Sequence, residues 1–120
     1  MNNIKYIPKP WGHEKIWAET NKYVGKILFV EAGKRLSLQY HEKKDETILV
    51  KSGKLLLEIG SDKNQLQQIV LLPGDAYHIK TNMVHRMSGI EDTEVIEVST
   101  PELDDVVRIQ DDFGRENETK

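Results

Sequence analysis

Apolar and polar residues alternate in short runs along most of the chain. The runs are Tyr23–Val30, Arg35–His41, Glu46–Lys51, Leu55–Ile59, Leu66–Leu72, Ala76–Lys80, Val84–Ser88 and Glu94–Ser99. Each has the period-two pattern or β-branched content of a strand. Turn-forming pieces separate them: Ala32-Gly33, Lys43–Asp45, Ser52-Gly53, Gly60–Asn64, Pro73-Gly74, Thr81-Asn82 and Gly89–Asp92. Short strands with turn signals every ~8–12 residues predict an all-β sandwich or barrel, an arrangement that also hides strand edges. No helix-sized apolar stripe is present. The tail is the exception: Val106, Val107 and Ile109 within Asp105–Gln110 predict one short C-terminal amphipathic helix, with Asp104 as its cap. Glu116–Lys120 is polar, and fraying is expected there.

The same alternation gathers polar side chains. In a strand over Arg35–His41, Arg35, Ser37, Gln39 and His41 share one face, while Leu36, Leu38 and Tyr40 share the other. Glu46 opens the next run, and its alternate neighbours Ile48 and Val50 mark that face as inward. A carboxylate starting an apolar inward face needs a partner such as a cation. His85 follows the turn at Thr81-Asn82. Two imidazoles, a carboxylate and an amide oxygen can hold one divalent first-row metal, with manganese, iron, cobalt, nickel and zinc all in range. On spacing alone, unrelated polar residues on a half-exposed sheet remain the alternative.

Composition narrows the function classes. The 120 residues carry 17 basic and 20 acidic side chains, a net charge of −3 without a basic stripe. That excludes a dedicated nucleic-acid binder as the leading reading. The absence of cysteine excludes disulfides, thiolate metal sites and a Cys nucleophile. No run approaches the ~20 apolar residues of a membrane span, and the N-terminus has no apolar signal-like stretch. A cytoplasmic single domain over residues 1–120 is the expectation.

At the polar constellation the sequence resembles the cupin superfamily. Its first motif has the spacing of Gly33, five residues, Gln39-Tyr40-His41, four residues, Glu46, six residues and Gly53. Its second has that of Gly74, five residues, Lys80-Thr81-Asn82, two residues, His85, three residues and Gly89. Gln39 stands for the first motif His, and Lys80, Asn82 and Gly89 replace Pro, Gly and Asn. The motifs therefore cover 33–53 and 74–89. A narrower resemblance is carried by Lys9-Pro10-Trp11-Gly12, Ser37–His41, Pro73-Gly74-Asp75, His85-Arg86 and Asp112-Phe113-Gly114-Arg115. These look like the type II phosphomannose isomerases, with Phe113 for the usual Tyr. The loop Glu42-Lys43-Lys44-Asp45 and the pair Thr47-Ile48 depart from that family, which has more His and Arg in the loop and an aromatic residue after the Glu.

The resemblance implies a jelly-roll barrel, or double-stranded β-helix. It also implies a metal held by Gln39, His41, Glu46 and His85, and conversion of mannose 6-phosphate to fructose 6-phosphate through an enediolate. Arg115, and Arg35 on the ligand face, are the candidates for the phosphate, and Arg86 should point away from His85. Glu97, in the apolar strand Val95–Ser99, is the candidate base, since burial raises a carboxyl pKa. His78 and His13 are expected outside. Trp11 and Trp17 are expected on the barrel exterior or against a second subunit, a homodimer being common among cupins. Two rivals use the same residues: an iron-dependent dioxygenase on His41, Glu46 and His85, and a non-catalytic sugar-binding or regulatory cupin.

Overall fold

The computed structural model describes residues 3–116. It has eleven strands, namely β1 (Lys5–Lys9), β2 (Gly12–Glu19), β3 (Val24–Val30), β4 (Leu38–Tyr40), β5 (Glu46–Ser52), β6 (Leu55–Gly60), β7 (Leu66–Leu71), β8 (Ala76–Ile79), β9 (Val84–Gly89), β10 (Thr93–Ser99) and β11 (Val107–Gln110). Six form one sheet in the order β1-β2-β3-β10-β5-β8, and five form the other in the order β11-β4-β9-β6-β7. Every pairing is antiparallel. No helix among the described residues is long and apolar enough to cross a membrane.

Alternation dictates which side chains enter the barrel. Val95, Ile48, Val50, Leu28, Val30, Leu55, Leu57, Ile59, Leu71, Ile79 and Met87 are all buried in one apolar cluster. Further along several of the same strands the inward positions turn polar. Val95 gives way to Glu97 and Ser99 on β10, Ile48 to Glu46 on β5, Leu28 to Lys26 on β3, and Met87 to His85 on β9, and all of these polar residues are buried. Register aligns them: Glu97 lies between Lys26 and Ile48, and Ser99 lies opposite both Val24 and Glu46.

Turn chemistry fixes the motif ends. Gly53 has φ +91°, and a Cβ there would stand 2.3 Å from the Asp92 carbonyl oxygen, so only glycine fits. Asn82 takes the left-handed conformation, φ 65°, that its place in the second motif requires.

Three expectations are corrected. Residues 107–110 form strand β11, not a helix, paired with β4 at the sheet edge; a short apolar run fits either pattern, and the open edge of β4 supplies the backbone partners. The hairpin β1–β2 is additional. Its strands bury almost nothing but Ile16, so they carry no apolar alternation, and Pro8 sits on the edge strand where a missing N–H costs no ladder bond. Trp11, at the tip of that hairpin, is 2% exposed and belongs to the core. Trp17 does lie outside, 46% exposed, with its ring so close over Gly25 that a Cβ there would meet it at 2.6 Å. The frayed tail expected over Glu116–Lys120 falls, beyond Glu116, outside the described residues.

Candidate metal centre

Three ligand-type residues converge at the polar end of the barrel. His41 follows β4, Glu46 opens β5 and His85 lies on β9. Their ligand atoms lie within 4.8 Å of one another. Glu46 Oε1 is 3.3 Å from Nε2 of both His41 and His85. All three atoms are buried and none makes a hydrogen bond.

The backbone sets the tautomers. His41 Nδ1 lies 2.6 Å from the Asp105 carbonyl oxygen, and His85 Nδ1 lies 2.9 Å from that of Met83. A carbonyl only accepts, so each Nδ1 carries the proton and donates it, which leaves Nε2 of the neutral ring with a bare lone pair. Two bare nitrogens and a carboxylate oxygen therefore face one another with no hydrogen between them. Such a set repels itself unless a cation stands at its centre, and imidazole with carboxylate is the donor chemistry of first-row divalent metals. The residues present fit a metal ion.

Gln39 pairs in register with His85 and lines the adjoining cavity. Its Oε1 accepts a 2.6 Å hydrogen bond from Ser37 Oγ, which fixes the amide and leaves a second lone pair.

A buried cation stands behind this set. Lys44 Nζ lies 3.2 Å from Glu46 Oε2 and 3.0 Å from Glu97 Oε2. Burial pushes the Glu46 carboxyl up, but the Lys44 charge opposes it, and the carboxyl is held well below the usual carboxylate range. Burial, and then the Glu46 charge, push the Glu97 carboxyl up, against the pull of Lys44 and Lys26. Burial alone would lower the Lys44 ammonium; Glu97 and Glu46 together raise it instead. The loop that delivers Lys44 is clamped by Asp105, whose carboxylate accepts the backbone N–H groups of Glu42, Lys43 and Lys44 at 3.2, 2.6 and 2.8 Å.

The cavity in front of these groups measures about 230 Å³. Glu97 lines it, as does Arg115. Arg115 is held by Asp111, with Nε 2.7 Å and Nη2 3.1 Å from its two carboxylate oxygens. Arg35 corrects the expectation for it, because it does not line the cavity and its guanidinium pairs with Asp112 at 2.6 Å. The cause is a slip in alternation: Leu36, Ser37 and Leu38 are buried in succession, so Arg35 is not on the face of Gln39. Arg86 points away from the cavity, donating to the carbonyls of Leu36 and Gln110. His78 is outside, bonded to Asp45. His13 is half-buried between the rings of Tyr6 and Phe29.

Two residues escaped the sequence reading. Lys44 had a usable signal: it stands two residues before Glu46, on the parity of Glu46, Ile48 and Val50, where the inward carboxylate required a cation. Arg108 was hidden by the helix assignment. As part of β11 it pairs in register with Gln39 and lines the cavity.

Two antiparallel sheets in this jelly-roll order, with the His, Glu and His set at one end, define a cupin. The family described as mannose-6-phosphate isomerase C-terminal matches residues 1–111, and the chain belongs to it. No protein with a curated description matches the sequence. Among solved structures, KdgF from Halomonas sp. is similar with a TM-score of 0.72 and 23% identity, over 86% of this chain and 89% of KdgF. The capsular polysaccharide assembling protein CapF of Staphylococcus aureus gives 0.69 and 15%, over 83% of this chain and 29% of CapF. Bacillus subtilis oxalate decarboxylase, a protein with Mn(II) centres, gives 0.75 and 18%, over 88% of this chain and 30% of its own. At these identities the likeness concerns the fold, and the chain spans under a third of the last two proteins.

Proposed function

We propose that this chain is a metal-dependent sugar-phosphate isomerase that interconverts an aldose and a ketose, with mannose 6-phosphate and fructose 6-phosphate as the pair to test. The observation that carries the reading is the trio of bare, buried acceptors, His41 Nε2, Glu46 Oε1 and His85 Nε2, beside a cavity that also holds the Glu97 carboxylate. Family membership supports it.

His41, Glu46 and His85, with Gln39 as a fourth donor, would hold the ion. A divalent metal supplies Lewis acidity there, favouring the negative charge that develops on the sugar oxygens. Glu97 is the base: it takes the proton from C2 as that C–H pair forms the C1–C2 double bond and the C1 carbonyl pair moves onto O1. The O2 proton passes to O1, and Glu97 returns its proton to C1 as the C2 carbonyl forms. Its burial suits the task, since it favours the protonated form between the two transfers. Lys44 holds Glu97 and Glu46 in place, and Arg115 borders the substrate. The chain works as one cupin unit, cytoplasmic and paired as a homodimer, an arrangement that sedimentation tests.

A second reading, a sugar-binding cupin without turnover, is favoured by one observation. Lys44 already neutralises Glu97, and an ion-paired carboxylate is a weaker base. The two readings separate in one assay. Metal-stripped protein is reloaded in parallel with Mn, Fe, Co, Ni and Zn and given mannose 6-phosphate, with His85→Ala as control. Metal-dependent formation of fructose 6-phosphate that disappears in the variant supports the isomerase. Metal-loaded protein without turnover sinks it and leaves the binding reading.

A further inference from the structure

The cavity wall carries five cations, Lys9, Lys26, Lys44, Arg108 and Arg115. Three have carboxylate partners: Lys26 with Glu14 at 3.2 Å, Lys44 with Glu46 and Glu97, and Arg115 with Asp111. Among the described residues, Lys9 and Arg108 make no ion pair within 4.0 Å. Arg108 is the more telling, because its Nε and Nη1 are buried and make no hydrogen bond. Two buried, unpaired guanidinium nitrogens are costly in a folded protein unless something outside the chain completes them. Nε–H and Nη1–H point to different sides of the guanidinium, so each is a separate charge-assisted donor for an oxygen of an anion.

Register says where these donors lie. Arg108 is opposite Gln39 on β4, and Gln39 is opposite His85 on β9. Partners in register point their side chains to the same face of a sheet, so Arg108, Gln39 and His85 form one row on the inner face, with Arg108 and Gln39 lining the cavity. Two strand spacings separate the backbones of Arg108 and His85, about 10 Å, a span suited to one small molecule touching both ends. Lys9 adds charge to the same wall. Burial lowers its pKa, Glu14 raises it, and Lys26, Arg115 and Arg108 lower it further, so these cations share one local field.

We propose that Arg108, assisted by Lys9, binds the anionic group of the cavity's ligand, a phosphate or carboxylate on a sugar whose other end lies at the His41, Glu46 and His85 set. The proposal rests on the cavity being the ligand site and does not require that turnover occur there.

The test is calorimetric titration of Mn-loaded protein with mannose, mannose 6-phosphate and mannuronate. These three sugars differ at C6 as alcohol, phosphate and carboxylate. The expected result is that at least one anionic sugar binds tighter than mannose by about 10-fold or more, and that Arg108→Met removes this advantage while metal content stays unchanged. Whichever anion is preferred identifies the source of the charge. Equal binding of all three sugars, an advantage that survives in Arg108→Met, or no binding by the native chain at millimolar concentration overturns the proposal. The ligand-free melting temperature gives an independent check: Arg108→Met should hold or raise it, because a donor without a partner is lost, and a clear fall would make Arg108 a structural donor instead. Anion-selective, Arg108-dependent binding without isomerisation would sink the isomerase reading alone. Turnover with no dependence on Arg108 would sink this one alone.

Discussion

The two ends of the barrel interior are built on the same strands and stabilised by opposite means. At one end Val95, Val50, Val30 and Leu57 exclude water and each other's vacancies, with exposures of 1% or less. At the other, on the same faces of β10, β5 and β3, stand Glu97, Glu46 and Lys26. The apolar end is complete as the chain folds. The polar end is not: three acceptors at the candidate metal centre and two donors on Arg108 are buried without hydrogen-bond partners. One end maintains the fold, and the other stores unmet polar valence that a metal and an anionic ligand would satisfy, a local cost that functional sites impose on stability.

Substitutions at each end can break or sharpen this contrast. The largest effect is expected from Lys44→Met, which strands two buried carboxylates. Metal-free protein should lose about 3–5 kcal/mol in urea unfolding, and excess divalent metal should restore part of that loss by neutralising Glu46. A loss that is the same with and without metal would detach Lys44 from the metal centre. Leu57→Ala, at the apolar end, should cost about 3 kcal/mol by leaving a cavity, and here metal should change nothing in the difference from native protein. Metal rescue of Leu57→Ala would erase the distinction between the ends.

A smaller effect is expected from Asp105→Ala. It frees the three N–H groups that hold the Lys44 loop and should cost about 1–2 kcal/mol. It should also weaken metal binding about 10-fold, as loss of outer-shell support does. Unaltered metal affinity would make the clamp purely structural. The smallest concerns Arg35 and Asp112, whose side chains are 43% and 42% exposed. Arg35→Ala should change stability by less than about 1 kcal/mol and leave sugar binding intact. The hydrogen bond from Arg35 holds the Asp112 carboxyl below its ordinary value. The pair's small contribution is therefore present above the unfolded carboxyl value of about 3.9 and fades as pH falls below it toward the folded value. Comparing acid unfolding of native protein with Arg35→Ala between about pH 5 and 2 checks the sign.

Legibility in the sequence followed burial. From β3 to β10 most strands bury one face, so alternation located them and put Glu46 inside; for Glu97 it left the direction open, because Ile96 and Val98 make the other face of β10 equally apolar. The hairpin β1–β2 buries little, and β11 is four residues at a sheet edge, so neither leaves a periodic trace. His41, Glu46 and His85 were legible because motif spacing and strand parity agree on them. Arg35 was misplaced because strand parity was extended through Leu36 and Ser37, which precede β4, while Arg35 itself makes only an isolated bridge to Ser88. Arg108 became visible only with β11, since its role depends on register against Gln39, a relation between distant segments that periodicity does not encode.

The most direct test of the metal centre is equilibrium dialysis of metal-stripped protein against Mn(II) or Co(II), comparing the native chain with His85→Ala and Glu46→Gln. The account predicts one ion per native chain and a loss of affinity of at least about 100-fold in each variant, beyond the ~10–100-fold of an outer-shell change. No bound ion in the native chain, or the same affinity in all three, would contradict it.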